Sequence, residues 1–553
     1  MRYEERSPHK IMAIVILIIA FIVLYSPWHL GLRELLGGEG KFAAMALDMN
    51  IFTPSTIAHG ETLSNCFPLY PWIVAIAYKL GFGLETGLRI ISVICLGVLG
   101  VIVFQTSRKN TGFHEAVVST VFMIANIVVF EKAIDGNPFL LGVIFLLLGW
   151  FTWYEYGAIQ GKWNKAWIVS FIFCGLAFYT IGWIAFFYYF LPLIFMRRPL
   201  TLWKKLDNNG FKFGLFIIAF FILLWLIPRL ITAIEYPLNS TPFDFQITND
   251  YIIQIIFFPI TFATEIIPWT IIVWPAFCVA YYPLDKNPIF SRFLRTITIS
   301  LFAFLWINPF TETRDFMILI PTLSVLAGVH YKILIRRYGF TLHKILNFLT
   351  IILLVMSVMA FILFLLPREW WNESSILNYI HNVFFTNGIS FLSAMAIWGI
   401  VQTGVSILIG ISTIVLYKIR LSVWLHGLCV CLMFMLCFWS VTYPYRSLSN
   451  DARTTASSII TQMSKSYHVD MTLYKGPEIA DIYVLGCYLH SKLEKIYNYN
   501  ELPKETKVVY VLSLNQPVYP ERQWSLIASQ YYKNKMLYLW KGISVNKKPI
   551  LEI

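Results

Sequence analysis

Behind the basic segment Met1–Lys10 runs IMAIVILIIAFIVLYSP, residues 11–27, with no charged side chain. A stretch of about 17–25 mostly apolar residues is long enough to cross the ~30 Å hydrocarbon core of a bilayer as a helix. Lipid offers the backbone no hydrogen-bond partner, so such a segment must satisfy its own N–H and C=O groups. The exit, Tyr25-Ser26-Pro27-Trp28, has no small-x-small cleavage pattern. The expectation is therefore a retained first helix and not a cleaved signal peptide.

The same reading recurs along the 553 residues. After Ile11–Pro27 come Leu88–Thr106, Glu115–Phe130, Pro138–Trp153, Ala166–Thr180, Trp183–Met196 and Phe213–Ile231. Ile266–Tyr282, Thr296–Asn308, Phe316–Tyr331, Ile345–Leu366, Ile389–Tyr417 and Leu421–Val441 complete about thirteen candidate spans. Trp183–Met196 is short, and Ile389–Tyr417 is long enough to tilt or break. The composition agrees: 58% hydrophobic and 13% charged, where soluble domains run near ~45–50% and ~25%. Soluble, disordered, collagenous and disulfide-scaffold classes are excluded. The 17% aromatic content suits many membrane–water interfaces.

The charges give an independent test. With the N-terminus cytoplasmic, the inner segments collect Arg2, Arg6, Lys10, Arg108, Lys109, Arg197, Arg198, Lys204 and Lys205. Lys286, Arg292, Arg295, Lys332, Arg336, Arg337, Lys418 and Arg420 fall on the same side. The outer loops carry few cations (Arg33, Lys41, Lys79, Lys132, Arg314, Arg368) and many carboxylates. This is the positive-inside pattern. The net charge of +13 is thus mostly topology, and no nucleic-acid partner is expected. An odd number of spans leaves the C-terminus outside.

Residues 1–442 accordingly read as a transmembrane domain and 443–553 as a small extracytoplasmic α/β domain. Ala452–Ser466 and Glu478–Ser491 read as helices, while KVVYVLS (507–513) and MLYLWK (536–541) read as strands. Of eight cysteines, only Cys66 and Cys487 fall on the oxidising side, which leaves a disulfide between them open.

The first outer loop, 28–87, is long and holds two pieces that read as helices on the membrane surface. In Glu39–Asn50, Phe42, Met45, Ala46 and Met49 form one apolar face. The second, Phe67–Lys79, opens with proline and is aromatic. Glu39, in Gly37-Gly38-Glu39-Gly40-Lys41, has two readings: a solvated carboxylate at a helix N-terminus, or a catalytic group. Asp135, in Glu131-Lys132-Ala133-Ile134-Asp135-Gly136-Asn137-Pro138, is either a turn former before a helix or a second acid of a site. Arg89 and Arg229, at outer helix ends, read as snorkelling anchors or as phosphate contacts. Arg314 can pair locally with Glu312 or Asp315, or clamp a phosphate. No His/Cys cluster has metal-ligand spacing, so no tightly held metal is expected. A loosely bound divalent cation stays open.

The order of these pieces resembles the GT-C polyprenyl-phosphate-sugar glycosyltransferases, in particular the branch of the lipid A aminoarabinose transferases and, further off, the protein O-mannosyltransferases. Gly38-Glu39-Gly40-Lys41-Phe42-Ala43 is similar to that branch's acidic motif after the first span. Cys66-Phe67-Pro68-Leu69-Tyr70-Pro71-Trp72 is similar to its proline–aromatic motif, and Leu88-Arg89 to the arginine opening its second span. Asp135-Gly136-Asn137-Pro138, Pro268-Trp269 and Arg314–Pro321 resemble later motifs. Three positions depart from the pattern. Gly38 replaces the first acid, Cys66 stands where the branch has lysine or histidine, and Leu238–Glu265 holds no cation.

The resemblance implies an all-α polytopic GT-C fold and transfer of a sugar from a polyprenyl-phosphate donor to a lipid, glycan or protein hydroxyl. The reaction would invert the anomeric centre at the outer face of the inner (cytoplasmic) membrane. It also implies roles: Glu39 as base with Asp135 in support, and Lys41, Arg89, Arg314 and Tyr70 on the donor or its phosphate. Two other classes compete, a lipid-linked sugar flippase and a catalytically inactive assembly subunit. No halves match as transporter repeats would; Gly38 and Cys66 are what point to the second.

Overall fold

The computed structural model describes residues 9–544 except 26–29, 32–33, 50–56, 60, 64–65, 197–205, 236–237, 240–248, 366–391, 419–421, 449–451, 467–472, 480–481, 490–492, 497, 504–505, 507 and 533–534. The cations Arg2, Arg6, Arg33, Arg197, Arg198, Lys204, Lys205, Arg368 and Arg420, and the helix exit Ser26–Trp28, lie outside these residues. The helices, in order, are α1 (Lys10–Leu24), α2 (Gly37–Asp48), α3 (Leu69–Lys79), α4 (Leu84–Asn110), α5 (Phe113–Ile124) and α6 (Ile127–Lys132). Then come α7 (Phe139–Trp153), α8 (Trp163–Ile181), α9 (Ile184–Phe195), α10 (Asn209–Glu235), α11 (Asn249–Glu265) and α12 (Pro288–Ile307). The last are α13 (Ile320–Leu365), α14 (Leu392–Lys418), α15 (Val423–Leu448), α16 (Ala452–Ser466) and α17 (Tyr483–Tyr488).

Among the described residues eight helices are long and apolar enough to cross a membrane, or nine if the bent pair Tyr251–Glu265 and Thr270–Phe277 counts as one span. Three shorter apolar helices, Lys10–Leu24, Phe113–Ile124 and Ile184–Phe195, stand where Ile11–Pro27, Glu115–Phe130 and Trp183–Met196 were expected. Outward side chains of the long helices are what a lipid environment requires: Phe216 of α10 is 74% exposed and Leu408 of α14 68%, exposures that water would penalise. This is a multi-span membrane protein.

Two expectations are corrected. Phe316–Tyr331 and Ile345–Leu366 were read as separate spans, but α13 runs without a break through the basic stretch between them. Lys332, Ile333, Leu334, Arg336 and Arg337 are good or tolerable helix formers, and no proline lies among them to stop the turn. Its 46 residues extend about 69 Å along the helix path. The cation-free stretch Leu238–Glu265 was read as a loop, yet from Asn249 it is helix α11, with Ile252, Ile253, Ile256 and Phe257 facing outward. The break comes after Glu265, where the chain bends by 104°, so Ile266–Tyr282 is a helical turn at Thr270–Val273 followed by 3₁₀ segments and not one span.

The chain divides into two compact units. The first comprises residues 1–30, 89–221 and 244–448. Here α13 packs on α5, α14 and α15. Its approach to α5 requires glycine: a Cβ at Gly328 would stand 2.1 Å from Ser119 Oγ and 2.7 Å from the Glu115 carbonyl. Buried polar side chains bond across helices, as Thr298 to Thr322 (2.9 Å) and Ser357 to Ser406 (2.8 Å).

The second unit comprises residues 31–88, 222–243 and 449–553. A small sheet joins β1 (Ile57–Ala58), β2 (Glu61–Leu63) and β3 (Leu238–Asn239). A five-stranded sheet is built from β4 (Leu473–Lys475), β5 (Leu493–Lys495), β6 (Val508–Ser513), β7 (Arg522–Tyr532) and β8 (Lys535–Ser544), in the order β5-β4-β6-β8-β7. β4 runs parallel to β5 and β6, and β8 is antiparallel to β6 and β7. The expected strands at 507–513 and 536–541 and the helix Ala452–Ser466 are present. The helix expected at Glu478–Ser491 is only Tyr483–Tyr488 among the described residues, since Gly476-Pro477 makes a turn and Glu478 stays outside the helix. Cys66 and Cys487 are both free thiols, so the disulfide left open does not form.

Candidate active site

Helix α2 carries the acidic motif. Every helix leaves its first N–H groups without intrahelical partners, and Glu39 answers this from the N3 position. Its Oε2 accepts the Leu36 N–H at 2.8 Å. The sequence offered a solvated cap or a functional acid; the structure places a capping carboxylate that is buried, only 3% exposed. α2 does not lie as an amphipathic helix with one wet face. Ala43, Ala44, Met45 and Ala46 are all buried, because α3 and α17 cover it. Gly40 is the close approach: a Cβ there would meet Val484 Cγ2 at 2.5 Å and the Val484 nitrogen at 2.9 Å. Gly37 and Gly38 have no atom within 4 Å of where a Cβ would stand, so the first turn beside Glu39 is uncrowded. Lys41 points outward, its ammonium 6.0 Å from the centre of the Tyr483 ring.

The proline–aromatic motif enters α3 with Pro68 at the cap. Tyr70 is fully buried, donates its hydroxyl to the Leu88 carbonyl at 2.8 Å, and sits edge-on to Phe42 at 5.7 Å. Its observed contacts thus fasten α3 to α2 and to the start of α4. Cys66, just ahead, has its thiol pushed up to about 11 by burial, against the pull of two nearby cations, Lys41 and Arg229. Arg229 is buried, donates to the Leu63 carbonyl at 3.2 Å, and lies 4.7 Å over the Trp225 ring, on which Phe67 stacks at 5.4 Å. The second unit therefore sets two cations, Lys41 and Arg229, near the cysteine position and holds the buried Glu39 in the same unit. The sequence leaves Arg229 between a snorkelling anchor and a phosphate contact. The signal that distinguishes it is a guanidinium inside an apolar helix, immediately after Pro228.

A polar network holds the segment that leads into α2. Tyr488 donates to Glu85 at 2.7 Å and accepts the Leu35 N–H at 2.9 Å. Arg453 donates to the same Glu85 through Nε at 3.2 Å and to the Gly31 carbonyl at 3.2 Å. Glu34 accepts the Ala452 and Arg453 N–H groups at 3.2 and 3.3 Å, placing a carboxylate at the N-terminus of α16. Two backbone groups immediately before α2, at Leu35 and Leu36, are thus tied by side chains.

The first unit holds the other candidates. Arg89 is completely buried, and its Nη1 donates to the Leu30 carbonyl at 2.5 Å; it is no snorkelling anchor. Asp135 is half-buried in the turn before α7. In that turn Asn137 does the capping, its Oδ1 accepting the Phe139 N–H at 2.9 Å. Arg314 pairs with Glu312 at 3.0 Å and lies 4.0 Å from Asp315, the local pairing that its sequence neighbours allowed. Asp315 accepts the Glu312 N–H at 2.9 Å, and burial lifts its carboxyl to about 6 despite that bond and the adjacent Arg314. Lys132 pairs with Glu131 at 3.4 Å. Among the described residues no three His, Cys, Asp or Glu side chains come together as a metal-binding group.

Comparison with known proteins adds the following. The family model described as dolichyl-phosphate-mannose-protein mannosyltransferase matches residues 65–228, from the cysteine position through Pro228. ArnT from Cupriavidus metallidurans in the apo state superposes with a TM-score of 0.66 at 17% identity, over 95% of this chain and 97% of that one. The fold is that of ArnT. The same enzyme bound to undecaprenyl phosphate gives 0.64 at 17% identity, over 96% and 97%. No curated protein sequence matches. The chain thus has a GT-C glycosyltransferase fold, like that of ArnT and with a mannosyltransferase family signature in its first half, and one protein of the same fold holds a polyprenyl phosphate.

Proposed function

We propose that this protein is a glycosyltransferase of the outer face of the cytoplasmic membrane, taking its sugar from a polyprenyl-phosphate donor. The observation that carries the reading is the buried Glu39 in one unit with Lys41 and Arg229, within an ArnT-like fold. Such a donor is already activated, so the protein need supply only a base, a phosphate grip and a partly desolvated cleft. A lipid, glycan or protein hydroxyl loses its proton to the Glu39 carboxylate as its oxygen attacks the anomeric carbon. The bond from that carbon to the phosphate oxygen breaks, and polyprenyl phosphate leaves with the electron pair. Attack opposite the leaving group inverts the centre. Lys41 and Arg229 stabilise the charge that grows on the phosphate. Tyr70 shapes the wall by fastening α3. The substitution of Cys66 for a cation fits this reading, because Lys41 and Arg229 flank that position. No step calls for a metal, and a loosely bound divalent ion would act on the phosphate alone. The N-terminus lies in the cytoplasm and the five-stranded domain outside.

The test uses purified full-length protein, labelled polyprenyl-phosphate sugar and a crude envelope fraction as acceptor. Transfer that is lost in Glu39→Gln while donor binding persists supports the enzyme. Wild-type donor binding without turnover on any envelope fraction supports an inactive assembly subunit, and movement of the sugar lipid across vesicles without transfer supports a flippase. A reporter fused at residue 553 that is active only in the cytoplasm would overturn the topology.

A further inference from the structure

A cavity of about 680 Å³ opens along α12 in the first unit, walled on its other side by Leu191 and Phe195 of α9. Its lining has two chemically distinct ends. From Ile299 through Ala303 and Phe304 to Ile307 it is apolar but for Ser300, with Phe304 held by stacking on Phe187 at 6.1 Å and edge contact with Tyr188 at 5.9 Å. At the other end stand Arg292, Arg295, Tyr282 and Asp285. Arg295 is buried and fixed: it donates to both Asp285 oxygens at 3.1 and 2.8 Å, to the Ala276 carbonyl at 2.6 Å, and lies 3.8 Å over the Tyr282 ring. Asp285 is thereby matched to Arg295, with His330 at 2.8 Å on its other side. Arg292, one turn earlier, is exposed at the rim and forms no ion pair with any described residue.

The dimensions and charges select the occupant. Arg292 to Ile307 spans fifteen helical steps, about 22 Å, more than half of a ~30 Å hydrocarbon core. The volume falls within the ~300–1,000 Å³ of sites that enclose much of a ligand. The polar end carries two guanidiniums against one carboxylate, so it favours an anion. Basic pockets between membrane helices at the cytoplasmic side are suited to anionic lipid headgroups. A polyprenyl-phosphate donor used at the outer face would carry its phosphate at the opposite end of α12, where the lining is apolar.

We propose that this groove is a binding site for an anionic phospholipid of the cytoplasmic leaflet, its phosphate at Arg292 and one acyl chain along Ile299, Ala303 and Ile307. The placement of Arg292 at the inner face rests on the topology proposed above, whereas lipid retention is read without reference to sugar transfer. The lipid wedges α12 against α9.

The experiment is lipid analysis of detergent-purified full-length protein by native mass spectrometry, followed by exchange into micelles doped with phosphatidylglycerol or phosphatidylcholine. Wild type is expected to retain about one phosphatidylglycerol and to prefer it to phosphatidylcholine by about tenfold. Arg292→Glu should remove the preference, and Ala303→Trp, which fills the groove at an exposed position, should remove retention while leaving the protein monodisperse. Retention that both variants leave unchanged, equal retention of the zwitterionic lipid, or recovery of polyprenyl phosphate from the groove in place of phospholipid would overturn the proposal. A cysteine introduced by Arg292→Cys and labelled by an impermeant reagent from the outer side would overturn the inner-leaflet assignment, independently of any result on transfer.

Discussion

The substitution Glu39→Gln separates a cap from a catalyst because the two roles predict effects of very different size. Glutamine keeps a carbonyl oxygen where Glu39 Oε2 now accepts the Leu36 N–H at 2.8 Å, so the capping hydrogen bond can persist. What is lost structurally is the interaction of a carboxylate with the helix N-terminus, typically ~0.3–1 kcal/mol. In a protein of this size, that amounts to a fall in Tm of no more than about 4 °C. If Glu39 takes the acceptor proton, its loss removes on the order of 10²- to 10⁴-fold from turnover, about 3–5 kcal/mol of barrier. The assay pairs transfer of labelled sugar with donor binding and a melting curve on the same preparation. The expected result is turnover down at least a hundredfold, donor affinity within about threefold, and Tm nearly unchanged. Turnover within threefold of wild type in a fully folded Gln variant would refute the assignment of Glu39 as base and leave it a cap.

Four further outcomes follow from the geometry. Arg229→Gln is expected to raise the donor KM about tenfold or more, through loss of a buried charge-assisted contact, with kcat reduced less; an unchanged KM would remove Arg229 from the phosphate grip. Gly40→Ala drives a methyl to within 2.5 Å of Val484 Cγ2 and should cost about 1–3 kcal/mol, seen as a lower Tm and earlier proteolysis of the C-terminal domain. Arg453→Met leaves Glu85 and Tyr488 without their cation. Because the Arg453 side chain is 33% exposed, solvent screening limits the loss to about 1–2 kcal/mol, measured by chemical denaturation. Asp315 binds its proton more tightly in the folded protein (about 6) than in the unfolded chain (~3.9). Its contribution to stability therefore rises as pH falls from 7 toward 4. Asp315→Asn, which keeps an acceptor for the Glu312 N–H, should raise stability at pH 7.5 by on the order of 2 kcal/mol and flatten that part of the pH profile, as read from melting curves at fixed ionic strength.

Much of the architecture was legible because membrane physics writes itself into local sequence. Apolar runs of span length need no knowledge of distant contacts, and most of the expected spans coincide with helices, apart from Phe316–Tyr331 and Ile345–Leu366, which share one, and Ile266–Tyr282, which is broken. The misreadings came where local signals compete. Basic residues between Tyr331 and Ile345 looked like a loop because charge usually marks water, yet they also propagate a helix, and α13 continues through them. The polar residues of 238–250 hid the apolar helix that follows.

Composition and residue order by themselves determined that the chain lives in lipid and which motifs deserve attention. They identified Glu39 and Asp135 as candidates. Only the tertiary structure decided burial and company, which depend on residues far apart in sequence. It buried Glu39, where residue order allowed a solvated carboxylate as well as a functional one, because α3 and α17 close over α2. It also set Arg229, more than 160 positions along the chain, beside the Leu63 carbonyl and within reach of Cys66. Local pattern can announce a charge, but what that charge is worth depends on which distant surfaces take the water away.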